Sequence, residues 1–334
     1  MPPGSDREAV TLGAVKRLLP LLLACLLVAC GGDDSAQAPS ATQAPTQSGG
    51  KIRRDAANAK VHLTIGSKNF TEQQVLGEIY AQGLRAAGYT ISKDLNLGDE
   101  KQALAALKRD AISAYPEYTG TALSSFFGRT GDEVPKDPQA AYQEAKKDFA
   151  ADGLTAFPPT PFTSSNEVAV TAETAARLHL KNISDLTGKA GKLVLYGSPE
   201  CRQRLDCLLG LEQIYGLHFK KFVPVPIGQR HAVLSSGRAD VSIVFTTDPQ
   251  IQREKEVLLE DDKGMFPPYN STLVMKQATA DAAGPNLPRT LELIQQQLTD
   301  ENMQELNARV DLDRKSPAVV AREYLTETGL IGSQ

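Results

Sequence analysis

Few side chains in this 334-residue chain are spaced to make or break bonds. The four histidines, His62, His179, His218 and His231, are scattered, and none has the paired spacing with a carboxylate that a metal-binding helix needs. No glycine-rich loop would cradle a phosphate, and no serine marks a nucleophile elbow. Asp261-Asp262 reads as a solvated turn rather than a calcium loop. Cys201 and Cys207 stand too far apart for a zinc knuckle or a thioredoxin pair. In an oxidising compartment they close a small disulfide loop, and otherwise they are two free thiols. No catalytic set, metal or cofactor is therefore expected. What remains is recognition, and with no Trp, nine Tyr and ten Phe, the positions of the aromatics carry the information.

Such residues need elements to place them. Residues 61–66 alternate as a strand, and Thr71 with Gln74 has the form of a capping box. Leu76, Tyr80, Gly83 and Ala87 then line one helical face, which Gly88 ends. A strand at 89–97, a helix at 99–108 and a strand at 111–115 follow. The pattern returns as strand 192–196, helix 203–215, strand 221–225, helix 229–236 and strand 241–245. Strands alternating with helices predict parallel sheets covered on both faces. In both units a strand runs into an aromatic and then polar residues, Glu117-Tyr118-Thr119 in one and Thr246-Thr247-Asp248 in the other. Ligands of open α/β sheets sit at the carboxyl ends of strands, so two such lobes face a common cleft. The stiff stretches Phe157-Pro158-Pro159-Thr160-Pro161-Phe162 and Phe266-Pro267-Pro268-Tyr269-Asn270, with strands at 167–171 and 272–275, read as two crossings between lobes. Helices at 287–298, 301–310 and 317–328 are expected to pack on the first lobe, and Tyr115 is expected in its core.

The N-terminus is a targeting device. Lys16 and Arg17 precede an apolar run, residues 18–29, too short to span a bilayer but suited to a signal peptide. The run ends Leu27-Val28-Ala29-Cys30-Gly31, which resembles a bacterial lipobox with Cys30 as the lipidated residue. The polar stretch behind it, rich in Gly, Ser, Pro, Gln and Thr, reads as a flexible tether. The expected organisation is a signal peptide at 1–29, a tether at 30–59, one lobe from 60–163 and 270–334, and a second lobe from 164–269. A net charge of −4 implies no nucleic-acid surface.

Four segments stand in order: Gly66-Ser67-Lys68-Asn69-Phe70-Thr71-Glu72-Gln73, Tyr115-Pro116-Glu117-Tyr118-Thr119-Gly120-Thr121, Thr246-Thr247-Asp248, and Asp261-Asp262-Lys263 through Pro267-Pro268-Tyr269. Together they resemble the osmoprotectant-binding proteins of bacterial ABC importers, which bind glycine betaine, choline, carnitine or related betaines. The resemblance implies an α/β chain with the type II periplasmic-binding-protein fold, two βαβ lobes joined by two hinge crossings. It also implies a permease with a cytoplasmic ATPase as partner, a lipid-anchored extracytoplasmic monomer and no enzymatic activity.

A quaternary ammonium has no hydrogen-bond donor and is best held by aromatic faces, while a carboxylate calls for Arg, Lys or hydroxyl donors. The resemblance places Tyr118, Phe245 and Tyr269 in an aromatic cage, with Thr121 as a hydroxyl donor and Lys68 and Arg204 toward a carboxylate. On the residues alone, Tyr118 and Phe245 also read as strand-end core, Tyr269 as hinge packing, Lys68 as a loop cation and Arg204 as a surface helix cation. Two positions depart from the family's pattern: Asn166 and Leu208 stand where relatives carry tyrosines. A buried amide without a partner costs about 1–3 kcal/mol. Asn166 therefore points either to a water filling the gap beside a simple betaine or to a ligand bearing an N–H or hydroxyl, such as an amino-acid derivative or an ergothioneine-like betaine. A sensory ligand-binding module on the same fold is a more distant alternative.

Overall fold

The computed structural model describes residues 50–130 and 133–332. The signal segment, Cys30 and most of the tether lie outside the described residues. The end of the expected tether is part of the fold: the Lys51 and Ile52 amides donate to Gly329 and Leu330 carbonyls at 2.9 and 3.0 Å, and Ile52 is buried. An aliphatic side chain and two backbone donors are enough to seat it against the end of the last helix.

Among the described residues, ten strands form two five-stranded sheets. They are β1 His62–Gly66, β2 Thr90–Asp94, β3 Ala114–Tyr118, β4 Leu154–Ala156, β5 Asn166–Thr171, β6 Val194–Gly197, β7 Lys221–Pro224, β8 Val241–Phe245, β9 Glu256–Leu259 and β10 Ser271–Lys276. The first sheet has the order β2-β1-β3-β10-β4 and the second β7-β6-β8-β5-β9. Each sheet has three parallel strands and then two antiparallel pairings, β3/β10/β4 in one and β8/β5/β9 in the other. The sheets are therefore mixed, not wholly parallel as the strand–helix alternation predicts. The difference arises because each crossing strand enters the other lobe's sheet from the hinge side and must run against its neighbours.

The chain passes between sheets after β4 and again before β10. The two crossings lie side by side, joined by a Thr163–Asn270 bridge and a Ser164 amide donating to the Tyr269 carbonyl at 3.2 Å. The helices Leu287–Gln295, Asp300–Asp311 and Pro317–Glu327 pack on helix Thr71–Ala86 beside the first sheet, in the expected place. A Cβ on Gly83 of that helix would come within 2.6 Å of Ile294, so glycine is what allows the close approach.

Three local expectations need correction. β3 runs through Tyr118, three residues beyond the expected end. Pro116 is tolerated because the Thr119 amide donates to Asn270 on the β10 side, which turns the Pro116 nitrogen to the other edge, where β1 has already ended at Ala114. Tyr118, not Tyr115, is thus the counterpart of Phe245, and Tyr115 is fully buried in the core. Thr71 caps nothing: Phe70 precedes the helix without a side-chain cap, and the Thr71 hydroxyl donates to Asp311 at 2.7 Å. The expected helix 203–215 is a 3₁₀ turn, Pro199–Gln203, then a break, then Leu208–Gln213. Beyond these, the helices Pro138–Ala151 and Ala172–Leu178 and the strand β4 were not legible as elements in the sequence pattern.

Candidate ligand-binding site

The strand ends of both sheets open on a cleft with about 470 Å³ of empty space, its mouth included, within the range of small-molecule sites. All seven residues singled out in the sequence line it: Lys68, Tyr118, Thr121, Asn166, Arg204, Phe245 and Tyr269. Tyr118 and Phe245 occupy the last positions of β3 and β8. In the ladders, Tyr118 faces Ser271 and Phe245 faces Asn166, so both crossing strands deliver residues beside an aromatic. Gly120 follows closely, and a Cβ there would meet the Pro268 carbonyl at 2.6 Å. The Thr119-Gly120 and Pro267-Pro268 segments are thereby packed together, which carries Tyr269 to the cleft.

Phe70 is the aromatic that the sequence reading left out. Its ring centre lies 5.3 Å from that of Phe245 and 6.3 Å from that of Tyr118, linking the two lobes' aromatics. The signal was available, because Phe70 stands inside the first of the four segments that carry the resemblance and aromatics are scarce. Behind Phe245, the Arg230 guanidinium stacks at 4.3 Å from the ring centre. Asp248 accepts from the Phe245 amide at 2.8 Å and is itself paired with Arg230 and with His231, whose other nitrogen meets Glu256 at 2.9 Å. This buried network fixes the Phe245 ring.

The two cations of the cleft, Lys68 and Arg204, are paired within the protein. Lys68 forms a buried ion pair with Glu117 while its ammonium lies 4.5 Å from the Tyr118 ring centre. Arg204 pairs with Asp206, lies 3.6 Å from Glu100 and contacts the Thr121 hydroxyl at 3.5 Å. The Tyr118 hydroxyl donates to Glu72 at 2.5 Å, and that of Tyr269 donates to Asp206. Burial pushes the Glu72 and Glu117 carboxyls up, and for Glu117 this outweighs the pull of Lys68. Asp206 goes the other way: burial would raise it, but Arg204 holds it below the usual carboxylate range. Glu72 meets Tyr118 and Asn307, Glu117 meets Lys68 and Asp206 meets Tyr269, all partners distant in sequence, which is why the sequence did not show these roles.

The Asn166 amide is not unpaired. Its Nδ2 donates to the Asp206 carbonyl at 3.1 Å and lies 3.3 Å from the Tyr269 hydroxyl. Leu208 does not line the cleft and is buried in the core. Cys201 and Cys207 are joined by a disulfide with a Cα separation of 5.1 Å.

Residues 61–327 match the family model described as the substrate-binding domain of the ABC-type glycine betaine transport system. The chain belongs to this family. It is 31% identical over 280 residues to a glycine-betaine-binding protein of Pseudomonas aeruginosa, covering 80% of this chain and 88% of that one. It is 28% identical over 281 residues to an ergothioneine transport permease/ergothioneine binding protein of Helicobacter pylori, covering 84% of this chain and 50% of that one. Among solved structures, one described as a glycine betaine/carnitine/choline ABC transporter superposes with a TM-score of 0.64 at 27% identity, covering 79% of this chain and 98% of that one. As a family member, the chain has the type II periplasmic-binding-protein fold and is the extracytoplasmic solute-binding component of an ABC importer, working with a permease and an ATPase. No helix among the described residues is long and apolar enough to cross a membrane.

Proposed function

We propose that this binding protein captures a quaternary-ammonium solute of the betaine class, such as glycine betaine, choline or carnitine, between its lobes and hands it to the permease. The observation that carries the reading is the set of three rings, Phe70, Tyr118 and Phe245, gathered at the strand ends of both sheets. Aromatic faces hold a trimethylammonium group that can form no hydrogen bonds, at about 0.5–2 kcal/mol per contact. Thr121, Arg204 and Lys68 lie within the same cleft to receive a carboxylate where the ligand has one. Tyr269 completes the wall, and Asn166 acts through Tyr269 and Asp206. The chain works without chemistry on its solute, as a monomer. It is held to the membrane by a lipid on Cys30 after removal of residues 1–29, with the lobes 60–163 plus 270–334 and 164–269 closing about the two crossings.

A second reading, capture of a larger betaine such as ergothioneine, is favoured by Asp99, Glu100 and Glu200 along the cleft, which supply acceptors for a ligand carrying N–H groups. Calorimetric titration of the chain from residue 31 onward with glycine betaine, choline, carnitine and ergothioneine tests both. Binding of one of the first three supports the leading reading, and selective ergothioneine binding replaces it. Failure of all four sinks the quaternary-ammonium assignment. Mass spectrometry of the full-length protein from membranes tests the anchor, which requires an acylated Cys30 at the mature N-terminus.

A further inference from the structure

The loop between Cys201 and Cys207 joins the two lobes across the cleft. It belongs to the second lobe, yet Arg204 reaches Glu100 and Thr121 of the first. Asp206 meanwhile accepts from Tyr269, on the crossing that leads into β10, and from Asn166 at the start of β5. The loop therefore touches both crossings and the far wall at once.

The pattern of residues 203–215 favours a continuous helix, but a helix would separate Arg204 from Asp206. Residues two apart on a helix point about 200° from each other, whereas on extended chain they share a face. Arg204 is extended, with φ −102 and ψ 132, and its guanidinium meets Asp206 with Nε donating to Oδ1 at 2.7 Å. The bridge enforces this choice. Cα atoms six residues apart in a helix are roughly 10 Å apart, beyond the roughly 7 Å limit for a disulfide. The observed 5.1 Å between Cys201 and Cys207 thus excludes a helix through the segment. Two glycines admit the folded loop: a Cβ on Gly210 would meet the Leu205 carbonyl at 1.8 Å, and one on Gly197 would meet Cys201 Sγ at 3.0 Å. The Leu208 amide caps the turn by donating to Cys201 Sγ at 3.2 Å.

We infer that the Cys201–Cys207 disulfide is a positioning element for ligand capture, holding Arg204 and Asp206 in the non-helical conformation that links the two lobes. The inference rests on the solute-binding reading above. Its test is the Cys201→Ala/Cys207→Ala double variant, compared with the native chain by calorimetry using the solute that binds best in the four-compound panel. Affinity is expected to fall by about tenfold or more, as for loss of charged hydrogen bonds. In an Arg204→Ala/Asp206→Ala background, removing the bridge should then cost no further affinity. A purely stabilising disulfide would lower the melting temperature and leave affinity intact, and that result overturns the inference. So does a full loss of affinity that persists in the background lacking Arg204 and Asp206. Hydrogen exchange on the unliganded chain provides the readout should none of the four compounds bind, an outcome that removes the quaternary-ammonium reading alone. Exchange at residues 202–208 should rise at least about tenfold without the bridge, as local opening becomes easier, and unchanged exchange there overturns the inference.

Discussion

Lys68 holds its ammonium 4.5 Å from the ring centre of Tyr118 while paired with the buried carboxylate of Glu117. The protein thus keeps a cation of its own against an aromatic that faces the ligand cleft. Removing only the lysine leaves Glu117 buried without its partner. Lys68→Met is expected to destabilise the fold by about 3–5 kcal/mol, and Lys68→Met with Glu117→Gln to recover most of that loss. Urea unfolding of the two variants checks this; equal losses would show that the pair is not coupled.

The three rings should share the binding energy. Phe70→Ala and Phe245→Ala are each expected to weaken binding of a quaternary ammonium by about two- to thirtyfold, the equivalent of about 0.5–2 kcal/mol. Phe245→Tyr, which keeps the face, should stay close to the native affinity. Titration of these variants decides whether Phe70 belongs to the cage.

Asn166 was a departure from the family's pattern that pointed to a polar ligand group. Its amide is instead engaged with Asp206 and Tyr269. Asn166→Tyr is therefore expected to lower affinity for every betaine tested, by about tenfold, because it breaks the hydrogen bonds that align Tyr269 and Asp206. A gain in glycine betaine affinity would show that the amide is a mismatch in the cage.

Stability should fall as the pH rises from mildly acidic to mildly alkaline. Burial, aided by the charge of Asp261, pushes the Glu167 carboxyl from 4.5 up to about 7. The native state then binds that proton more tightly than the unfolded chain. Its contribution is complete below pH 4.5 and lost as the pH rises through about 7. His231 acts in the same direction. Burial would lower its pKa, but hydrogen bonds to Asp248 and Glu256 more than offset this and raise it above 6.5. Its contribution is present below 6.5 and lost above its raised folded value. Glu167→Gln should raise stability at pH 8 by at most about 3 kcal/mol, leave it unchanged near pH 4.5, and retain the part due to His231. Thermal melts from pH 4.5 to 8.5 measure this, and a native protein that gains stability over that range contradicts it.

Much of the fold was legible because it is local. Alternation marked β1, β6 and β8, and the repeated strand–helix units implied two sheets with facing strand ends. Proline-rich stretches marked both crossings, and all seven nominated cleft residues do line one cleft. Alternation and turn chemistry depend on neighbours in the chain, and residues 61–327 carry enough of both to display the family's order of motifs. Tertiary structure decided what depends on distant partners. It set the direction of β5 and β10, extended β3 past Pro116, and turned the expected helix at 203–215 into a bridged loop. It also paired Lys68 with Glu117, Arg204 with Glu100 and Thr121, and Asp206 with Tyr269. The sequence by itself determined seven of the residues that reach the cleft, though not Phe70. Whether each arrives with a free or an occupied charge was decided only by packing, since burial compels every ionised group to find a partner and the partner can lie anywhere along the chain.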